Sequence, residues 1–354
     1  MKSNILISVV IAAYNVVEYL HEAIDSVISQ WDDDWELIVV NDGSTDGTTS
    51  LLKDYEVRLN SSRFVVINQG NLGIARVRDI GISVARGEYL AFLDGDDFYV
   101  DKRLQYIKYA LLDNKPDCLI IDFNYYFGDH SSVPNDRPYY GLVPKKLTFY
   151  SDEILSGVYR TAQVYPWKHI FKTSIWRKYS HPLGRTYEDV STIPLFISEC
   201  TSFFYLPLAL IQYRQRDGSI MKIKSYDNVV HLSASLSYVT NELKDKYNQI
   251  PECIALEHSI FNLYLFTWAC GDSLSNSRLN PRDLYPIFIN NFHYSNLVSI
   301  DKLKKEMKRD KKTWRKFTLF YYFPSSYYLA FYLRHHFNKV YKLLNKLRNF
   351  VYKT

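Results

Sequence analysis

Three carboxylates are crowded into the segment Asp94-Gly95-Asp96-Asp97. The segment follows the apolar run Glu88–Leu93, so its acidic side chains stand where a buried strand is expected to end. Carboxylates this close repel one another unless a cation lies between them. Mg²⁺ and Mn²⁺ suit such a site because both prefer oxygen ligands and hold substrate phosphates. Taken alone, the motif is equally open to interpretation as a solvated acidic turn.

The residues before this cluster alternate between short apolar runs and amphipathic stretches. Short, β-branched apolar runs are typical of parallel strands buried on both faces; they cover Ile5–Ile11, Trp35–Val40, Phe64–Ile67 and Tyr89–Leu93. A helix is predicted after the first run, because apolar residues recur there at spacings of three and four between Tyr19 and Ile28. Further helices are predicted over 48–59 and 75–85. Strand and helix in alternation indicate crossover units in a doubly wound α/β sheet.

Polar, Gly-rich sequence follows each predicted strand, as in Ala12–Asn15, Asn41–Gly47 and Asn68–Gly73. In doubly wound sheets, ligands bind beyond the carboxyl ends of the strands. Asn41–Gly47 is not a calcium loop, since Lys53 occupies the position of the required Glu. A tight turn and helix cap is its other interpretation. The chain has neither a dinucleotide fingerprint nor a phosphate-binding loop with Lys, which argues against hydride transfer and P-loop chemistry.

Three ordered segments together resemble the family 2 glycosyltransferases of the GT-A fold. They are Ile7–Asn15, Glu36–Gly47 and Gly87–Asp97, and the resemblance extends from residue 5 to about 125 and more weakly to about 220. It implies a Rossmann-like, mostly parallel sheet with flanking helices over residues 1–225. Residues 1–125 would form the donor half and 126–225 the acceptor half. A mainly helical, basic and aromatic region, 226–354, would follow.

The resemblance implies a nucleotide slot at the first two strand ends. Asp42 would bind the uracil or ribose of a nucleotide sugar, and Ala12 and Tyr14 would line the slot. Arg78 and Asp79 match the family's Arg-Asn pair near the nucleotide and donor sugar. Two positions depart from the family pattern, because Ala12 replaces a usual Pro and Asp79 replaces a usual Asn. The added negative charge at Asp79 could alter donor preference.

The acidic cluster matches the family's aspartate-any-aspartate motif. Asp94 would face the ribose and sugar, and could serve as a second metal ligand. Asp96 would ligate the Mn²⁺ or Mg²⁺ that bridges the diphosphate, with Gly95 in the same donor site. A metal there would offset the negative charge that develops on the leaving nucleoside diphosphate.

The catalytic base is expected further along the chain. Glu188-Asp189 resembles the family's Glu-Asp motif, with Asp189 as general base and Glu188 supporting or orienting it. An adjacent carboxylate raises the pKa of such a base toward neutrality. Beyond it, Arg214 and Arg216 match a Tyr-Arg element that can close over the donor, and both suit phosphate oxygens. An exposed basic loop is the alternative for these two arginines.

These implications add up to an inverting enzyme that adds one sugar per acceptor. The expected donor is a UDP-sugar, and the expected acceptor is a hydroxyl of a glycan or lipid-linked oligosaccharide in surface polysaccharide biosynthesis. No processive-synthase element is present. Two alternatives stay open: transfer of another nucleotide-activated group such as glycerol phosphate, and nucleotide-sugar binding without catalysis.

The basic charge of the chain is concentrated in residues 301–354. This segment has 15 Lys and Arg against 3 Asp and Glu, whereas the whole chain carries a net charge of +5. An apolar face on a helix over Lys339–Tyr352 and an aromatic stretch interrupted at Pro324 predict a membrane-surface tail. A helical cap, a homodimer interface and nucleic-acid binding are alternatives, the last without a recognition module to support it.

Compartment signals favour the cytosol. Met1–Asn4 leads directly into the first strand, so no signal peptide is expected. The four cysteines are scattered without metal spacing and are expected to be reduced. The predicted location is cytoplasmic, peripherally associated with the inner face of the cell membrane.

Overall fold

The computed structural model describes residues 5–128, 131–135, 141–216 and 224–337. The chain divides into two compact units, Met1–Asp217 and Gly218–Thr354. The first unit is an α/β unit built on one sheet, and the second unit is helical in its described part.

The first half of the sheet is parallel, as the alternating pattern predicts. Strand β1 (Ile7–Ala13) is flanked by β2 (Trp35–Asp42) and β4 (Tyr89–Asp94), and β3 (Phe64–Gln69) pairs with β2. Every residue of β2 is buried, which explains its unbroken apolar run. The connecting helices are α1 (Val17–Ile28), α2 (Thr48–Leu59) and α3 (Ile74–Val84). Helix α3 packs closely on the sheet, since a Cβ on Gly81 would lie 2.4 Å from Val10 Cγ1.

The second half of the sheet introduces antiparallel strands. Strand β9 (His169–Lys172) runs antiparallel between β4 and β6 (Cys118–Tyr126), and β6 pairs in parallel with β10 (Phe203–Arg214). Three short strands complete the ten described: β5 (Phe98–Tyr99), β7 (Ser132–Pro134) and β8 (Leu147–Thr148). The helices of this half are α4 (Leu104–Asn114), α5 (Ser151–Thr161), α6 (Thr173–Trp176) and α7 (Glu188–Ser198). The result is an α/β fold with a mixed sheet whose long strands are mostly parallel.

The second unit is built around a helix that is buried on most sides. That helix is α9 (Glu252–Ser273), and α8 (Tyr226–Lys246) and α10 (Pro281–Ser295) pack on it. Three further helices follow: α11 (Ile300–Glu306), α12 (Lys311–Tyr322) and α13 (Pro324–His336). Pro324 begins α13, so the aromatic stretch is interrupted where the sequence indicates. No helix in the described ranges has the length and apolar character needed to cross a membrane.

Part of the basic segment 301–354 belongs to the core of the second unit. Leu303, Met307 and Phe317 are almost completely buried. Arg309 Nη2 lies 2.8 Å from Glu257 Oε2 of α9, which ties the segment to the helical core. The amphipathic helix predicted over 339–352 lies outside the described residues.

Candidate active site

The carboxyl ends of the parallel strands bring three of the predicted segments to one edge of the sheet. Ala12 of β1 pairs with Val40 of β2 and with Asp94 of β4. Asp42 is the last residue of β2, so it and Asp94 end strands on either side of β1. Site residues that were predicted from separate segments of the sequence therefore lie at one edge of the sheet, because parallel strands end together.

Asp42 is buried and holds the loop that leads into α3. Its Oδ1 accepts hydrogen bonds from Gln69 Nε2 at 2.6 Å and from the Leu72 amide at 2.8 Å. Its Oδ2 accepts one from the Gly73 amide at 2.8 Å. Tyr14, at the end of β1, leaves 46% of its surface exposed. Asp42 thus orders the predicted nucleotide slot, and its contact with a base or ribose stays a prediction.

Two loops at this edge are tied together by side chains for which the sequence predicts only a turn and a helix cap. The backbone N–H of Asn15 donates a hydrogen bond to Ser44 Oγ at 3.0 Å. The side-chain oxygen of Asn15, Oδ1, accepts one from the backbone N–H of Thr45 at 2.8 Å. Asp46 Oδ2 accepts from the Val17 amide at 3.1 Å. The predicted turn and cap residues therefore also connect the first and second strand ends, which stiffens the slot.

The acidic cluster forms a turn that packs directly on β1. The Gly95 amide donates to the Ala12 carbonyl at 3.0 Å, and a Cβ on Gly95 would lie only 2.7 Å from that oxygen. Asp97 is buried, and its Oδ1 accepts the Arg214 amide at 2.8 Å. Burial, followed by the charges of Asp96 and Asp94, raises the pKa of Asp97 well above its ordinary value. Gly95 is thus required by a close backbone approach, a role that the resemblance does not assign to it.

Both predicted arginines contact the acidic cluster. Arg216 Nε donates to Asp96 Oδ2 at 2.5 Å, and Arg214 Nε donates to the Asp96 carbonyl at 2.8 Å. Arg214 also pairs with Glu22 of α1, and its guanidinium lies 5.0 Å from the centre of the Tyr19 ring. The basic residues therefore lie beside the acidic motif rather than in a solvated loop.

Arg78 is buried and connects the two predicted catalytic segments. It pairs with Glu188 of α7, and its Nη2 lies 3.7 Å from Asp94 Oδ1. The sequence predicts that Glu188 supports Asp189, whereas the structure shows Glu188 paired with Arg78. Arg78 thereby links α3, β4 and α7 in one ionic group.

Asp189 lies in the first turn of α7 and is only partly exposed. Burial first, and then the charge of Glu188, raises its pKa to about 7, although Arg78 and the Val190 amide oppose the change. Burial likewise raises the pKa of Asp94 to about 6, with Arg78 opposing. A carboxylate whose pKa is near neutrality suits proton abstraction at physiological pH.

The geometry agrees with the sequence comparisons. The family model described as glycosyl transferase family 2 matches residues 8–171. The chain carries a family 2 glycosyltransferase domain. Among curated relatives, it is 29% identical over 229 residues to the glycosyltransferase GlyG of Streptococcus pneumoniae serotype 4, covering 61% of this chain and 73% of that protein. It is 28% identical over 231 residues to the uncharacterized glycosyltransferase EpsJ of Bacillus subtilis, covering 62% and 63%.

Similarity to a solved structure extends through most of the chain. The crystal structure of residues 1–349 of S. aureus TarS in complex with UDP-GlcNAc matches 86% of this chain and 91% of that chain, with a TM-score of 0.58 and 18% identity. The fold of the glycosyltransferase domain is thus the GT-A α/β fold. The matched parts of GlyG and EpsJ are incomplete, and EpsJ is covered over less than two thirds of its length.

Asp79 of the glycosyltransferase domain makes a contact that the sequence did not predict. Its Oδ1 accepts the His181 amide at 3.1 Å and lies 2.7 Å from His181 Nδ1. His181 is buried against Trp176 and Phe196. Asp79 therefore anchors the segment that approaches α7, and its expected position near the nucleotide stays a prediction. No local signal identifies His181, because it lies 102 positions along the chain.

Removing the Asp79 carboxylate should cost stability rather than nucleotide affinity. In Asp79→Ala, His181 loses its partner inside the protein, so we expect about 1–3 kcal/mol of lost unfolding free energy in urea denaturation. Asp54→Ala, on the exposed side of α2, is the matched control and should change little. A tenfold loss of nucleotide affinity with unchanged stability would instead show that Asp79 contributes to the donor site.

The acidic cluster offers few protein ligands to a divalent ion. In the described ranges, no three His, Cys, Asp or Glu side chains are arranged to hold a metal. Two carboxylates are nevertheless sufficient for Mg²⁺ or Mn²⁺ when substrate phosphates and water complete the shell. Burial is the largest cause of the raised pKa values of Asp94 and Asp97; neighbouring carboxylates add to it, and Arg78 and Arg214 respectively oppose it. Asp94 and Asp96 as ligands of an ion that arrives with its nucleotide stay a prediction.

A surface cavity lies away from this edge of the sheet. It has a volume of about 550 Å³ and is lined by Gln30, Trp35 and Lys108, among others. Trp35 begins β2, whereas Asp42 ends it, so this cavity lies at the opposite edge of the sheet. Lys108 there pairs with Asp32 at 2.7 Å and with Asp34 at 3.1 Å, which offsets its charge.

Proposed function

We propose that the glycosyltransferase domain moves one sugar from a UDP-sugar to a hydroxyl of a glycan or lipid-linked oligosaccharide, with inversion at the anomeric carbon. The observation that carries the proposal is the Asp189 carboxylate, which has a pKa near 7 and is linked through Glu188 and Arg78 to Asp94 at the strand ends. The TarS complex with UDP-GlcNAc supports the choice of donor. A role in polysaccharide synthesis is supported by a relative named for teichuronic acid biosynthesis, TuaG of Bacillus subtilis, which is 38% identical over 100 residues.

The proposed reaction is a single displacement. Asp189 takes the proton of the acceptor hydroxyl while that oxygen bonds to the anomeric carbon. The bond between the anomeric carbon and the phosphate oxygen breaks, and its electrons leave with the nucleoside diphosphate. One displacement from the opposite face inverts the anomeric centre. Arg214 and Arg216 lie close enough to the acidic cluster to bind the departing diphosphate.

A divalent ion held by Asp94 and Asp96 would offset the charge of the leaving diphosphate. We therefore expect Asp96→Ala to reduce nucleotide release from the donor by at least about 100-fold and to abolish its dependence on Mn²⁺. Asp101→Ala removes an exposed carboxylate from the neighbouring turn and is the matched control. Metal-dependent turnover that survives in Asp96→Ala would place the ion elsewhere.

Nucleotide release tests the proposal as a whole. UDP-, GDP- and dTDP-sugars are incubated with the full chain in Mn²⁺ or EDTA, and free nucleotide and sugar are measured. Release of UDP and free sugar from one donor supports the proposal. Binding without any release would indicate a non-catalytic nucleotide-sugar binder. Turnover confined to a nucleotide-activated glycerol phosphate would indicate the other transferase class.

We further propose peripheral association with an anionic membrane through α12. Five of its exposed residues recur at spacings of three and four, and they form one stripe with the exposed Phe323 that follows the helix: Lys312, Arg315, Lys316, Leu319 and Tyr322. Leu319 and Phe323 are 44% and 59% exposed. Cations at one end of a stripe and apolar rings at the other complement lipid headgroups and the acyl boundary. This stripe would hold the domain at the inner face of the cell membrane, near a lipid-linked acceptor.

Substitutions on this stripe test membrane binding better than deletion, because Leu303 and Phe317 of the same segment are buried. Leu319→Ser with Phe323→Ser should reduce co-sedimentation with phosphatidylglycerol vesicles by at least about fivefold. Leu112→Ser, on α4 and 46% exposed, is the matched control. Unchanged binding by the double variant would refute this surface, and a loss of dimers without a loss of vesicle binding would make it a homodimer interface.

A further inference from the structure

Five aromatic rings form a contiguous aromatic cluster in the first unit, composed of Phe123, Tyr125, Tyr165, Trp167 and Tyr213. Tyr165 and Trp167 are stacked, with ring centroids 4.8 Å apart and an interplanar angle of 14°. Trp167 also contacts Phe123 at 4.7 Å and Tyr213 at 5.4 Å. Phe123 and Trp167 are buried, whereas the three tyrosines are partly exposed. The cluster therefore has an apolar base and a tyrosine surface.

Neighbouring elements hold the aromatic cluster in place. Tyr125 and Tyr213 are register partners on β6 and β10, and their ring centroids lie 6.0 Å apart. The 3₁₀ turn Pro166–Lys168 carries Trp167 and follows Tyr165 directly. Lys168 is completely buried, and its Nζ donates to Asp122 Oδ1 at 3.0 Å. A buried ion pair beneath the turn fixes the position of the rings above it. The entropy cost of ordering these rings when a ligand binds is therefore small.

The aromatic cluster lies beside the groups proposed to react. Tyr213 immediately precedes Arg214, whose amide and side chain bind Asp97 and Asp96. Burial raises the pKa of the Tyr213 hydroxyl, and the nearby carboxylates of Asp97 and Asp94 raise it further. The tyrosine surface is thus next to the acidic cluster, on the side formed by β6 and β10.

We propose that Tyr125, Tyr165 and Tyr213 form the subsite that stacks the acceptor sugar. This inference rests on the proposed glycosyl transfer and names its acceptor as a pyranose that presents axial C–H groups on one face. Aromatic faces carry negative charge that attracts such C–H groups, and the partly exposed tyrosine rings can present such faces to a sugar. Rings needed for core packing alone would be buried, as Phe123 and Trp167 are.

Saturation-transfer NMR tests the subsite with defined probes. The full chain, with UDP and Mg²⁺, is mixed in turn with the methyl β-glycosides of glucose, galactose and N-acetylglucosamine. At least one glycoside should receive saturation, most strongly at the ring protons of one face. Tyr165→Ala and, independently, Tyr125→Ala should reduce that signal about fivefold or more. Tyr165→Phe keeps the ring and should retain the signal.

Tyr109→Ala is the matched control, because Tyr109 is an exposed tyrosine on α4 beside the distant cavity. Nucleotide release from the donor in the absence of acceptor should stay within about twofold in every variant. Full signal in both alanine variants, or no signal from a wild-type protein that releases nucleotide, would overturn the subsite and leave the proposed function standing. A wild-type protein that neither binds nor cleaves any nucleotide sugar would overturn both.

Discussion

Replacing Asp189 with asparagine is expected to lower sugar transfer by about 10²–10⁴-fold while nucleotide affinity stays within about twofold. The amide keeps the size of the side chain but cannot take the acceptor proton. The general base is the only function that the substitution removes, so the loss should appear in kcat. Single-turnover transfer and calorimetric titration with UDP separate the two quantities.

Asp152→Asn is the matched control for this experiment. Asp152, like Asp189, is an acidic residue in the first turn of a helix, but it belongs to α5. It should transfer sugar at the wild-type rate. If Asp189→Asn retains transfer within about tenfold of the wild type, the base is a different residue.

The raised pKa of Asp189 also determines whether kcat/KM rises or falls with pH. A base with a pKa of about 7 is protonated at lower pH, so kcat/KM should fall as the pH drops below about 7.

Because its folded-state pKa lies above the ordinary value of 3.8, Asp189 favours folding when protonated, and that stability is lost as pH rises through about 7. Asp189→Asn should therefore be more stable than wild type at pH 8, and equal to it near pH 3.

Replacing Arg78 with methionine is expected to lower the free energy of unfolding by about 3–5 kcal/mol at pH 8. Arg78 is buried between Glu188 and Asp94, so its removal leaves the buried carboxylate of Glu188 and the partly exposed carboxylate of Asp94 without this cation. The pKa values of Asp94 and Asp189 should both rise, because Arg78 lowers each of them in the wild type. Transfer should be lost as well, since α7 loses its connection to β4.

Urea denaturation at pH 8 and pH 5 measures the effect of Arg78→Met. The loss should be smaller at pH 5, where the unpaired carboxylates can bind protons at lower cost. Arg76→Met is the matched control, because Arg76 lies on the exposed side of the same helix. An equal, small loss in both variants would show that the ionic group formed by Arg78, Glu188 and Asp94 contributes little to stability.

Local patterns in the sequence predict the parallel half of the sheet and the residues at its carboxyl edge. Strand β2 contains the apolar run Leu37–Val40 because both of its faces are covered, and this run ends at the polar residues Asn41 and Asp42. Parallel strands end at a common edge, so Asp42 and Asp94 can be placed together before any coordinates exist. The short apolar strand β9 carries no such signal, and its antiparallel pairing depends on tertiary context.

Contacts between distant segments are the part that the sequence does not determine. Arg78 and Glu188 are 110 positions apart, and nothing local indicates that Glu188 faces Arg78 rather than Asp189. Asp79 matches a family position, and its contact with His181, 102 positions along the chain, has no local signal in the sequence. The pairing of Arg216 with Asp96 is likewise visible only once β10 is placed beside β5.

Calorimetric titration of the full chain with UDP, in Mn²⁺ and again in EDTA, tests the central claim most directly. The proposed donor site predicts one UDP per chain, with binding that weakens at least about tenfold in EDTA. Asp96→Ala should bind UDP equally weakly under both conditions. Absence of UDP binding in Mn²⁺, or binding that is the same with and without the metal in the wild-type protein, would contradict the proposed metal-assisted donor site.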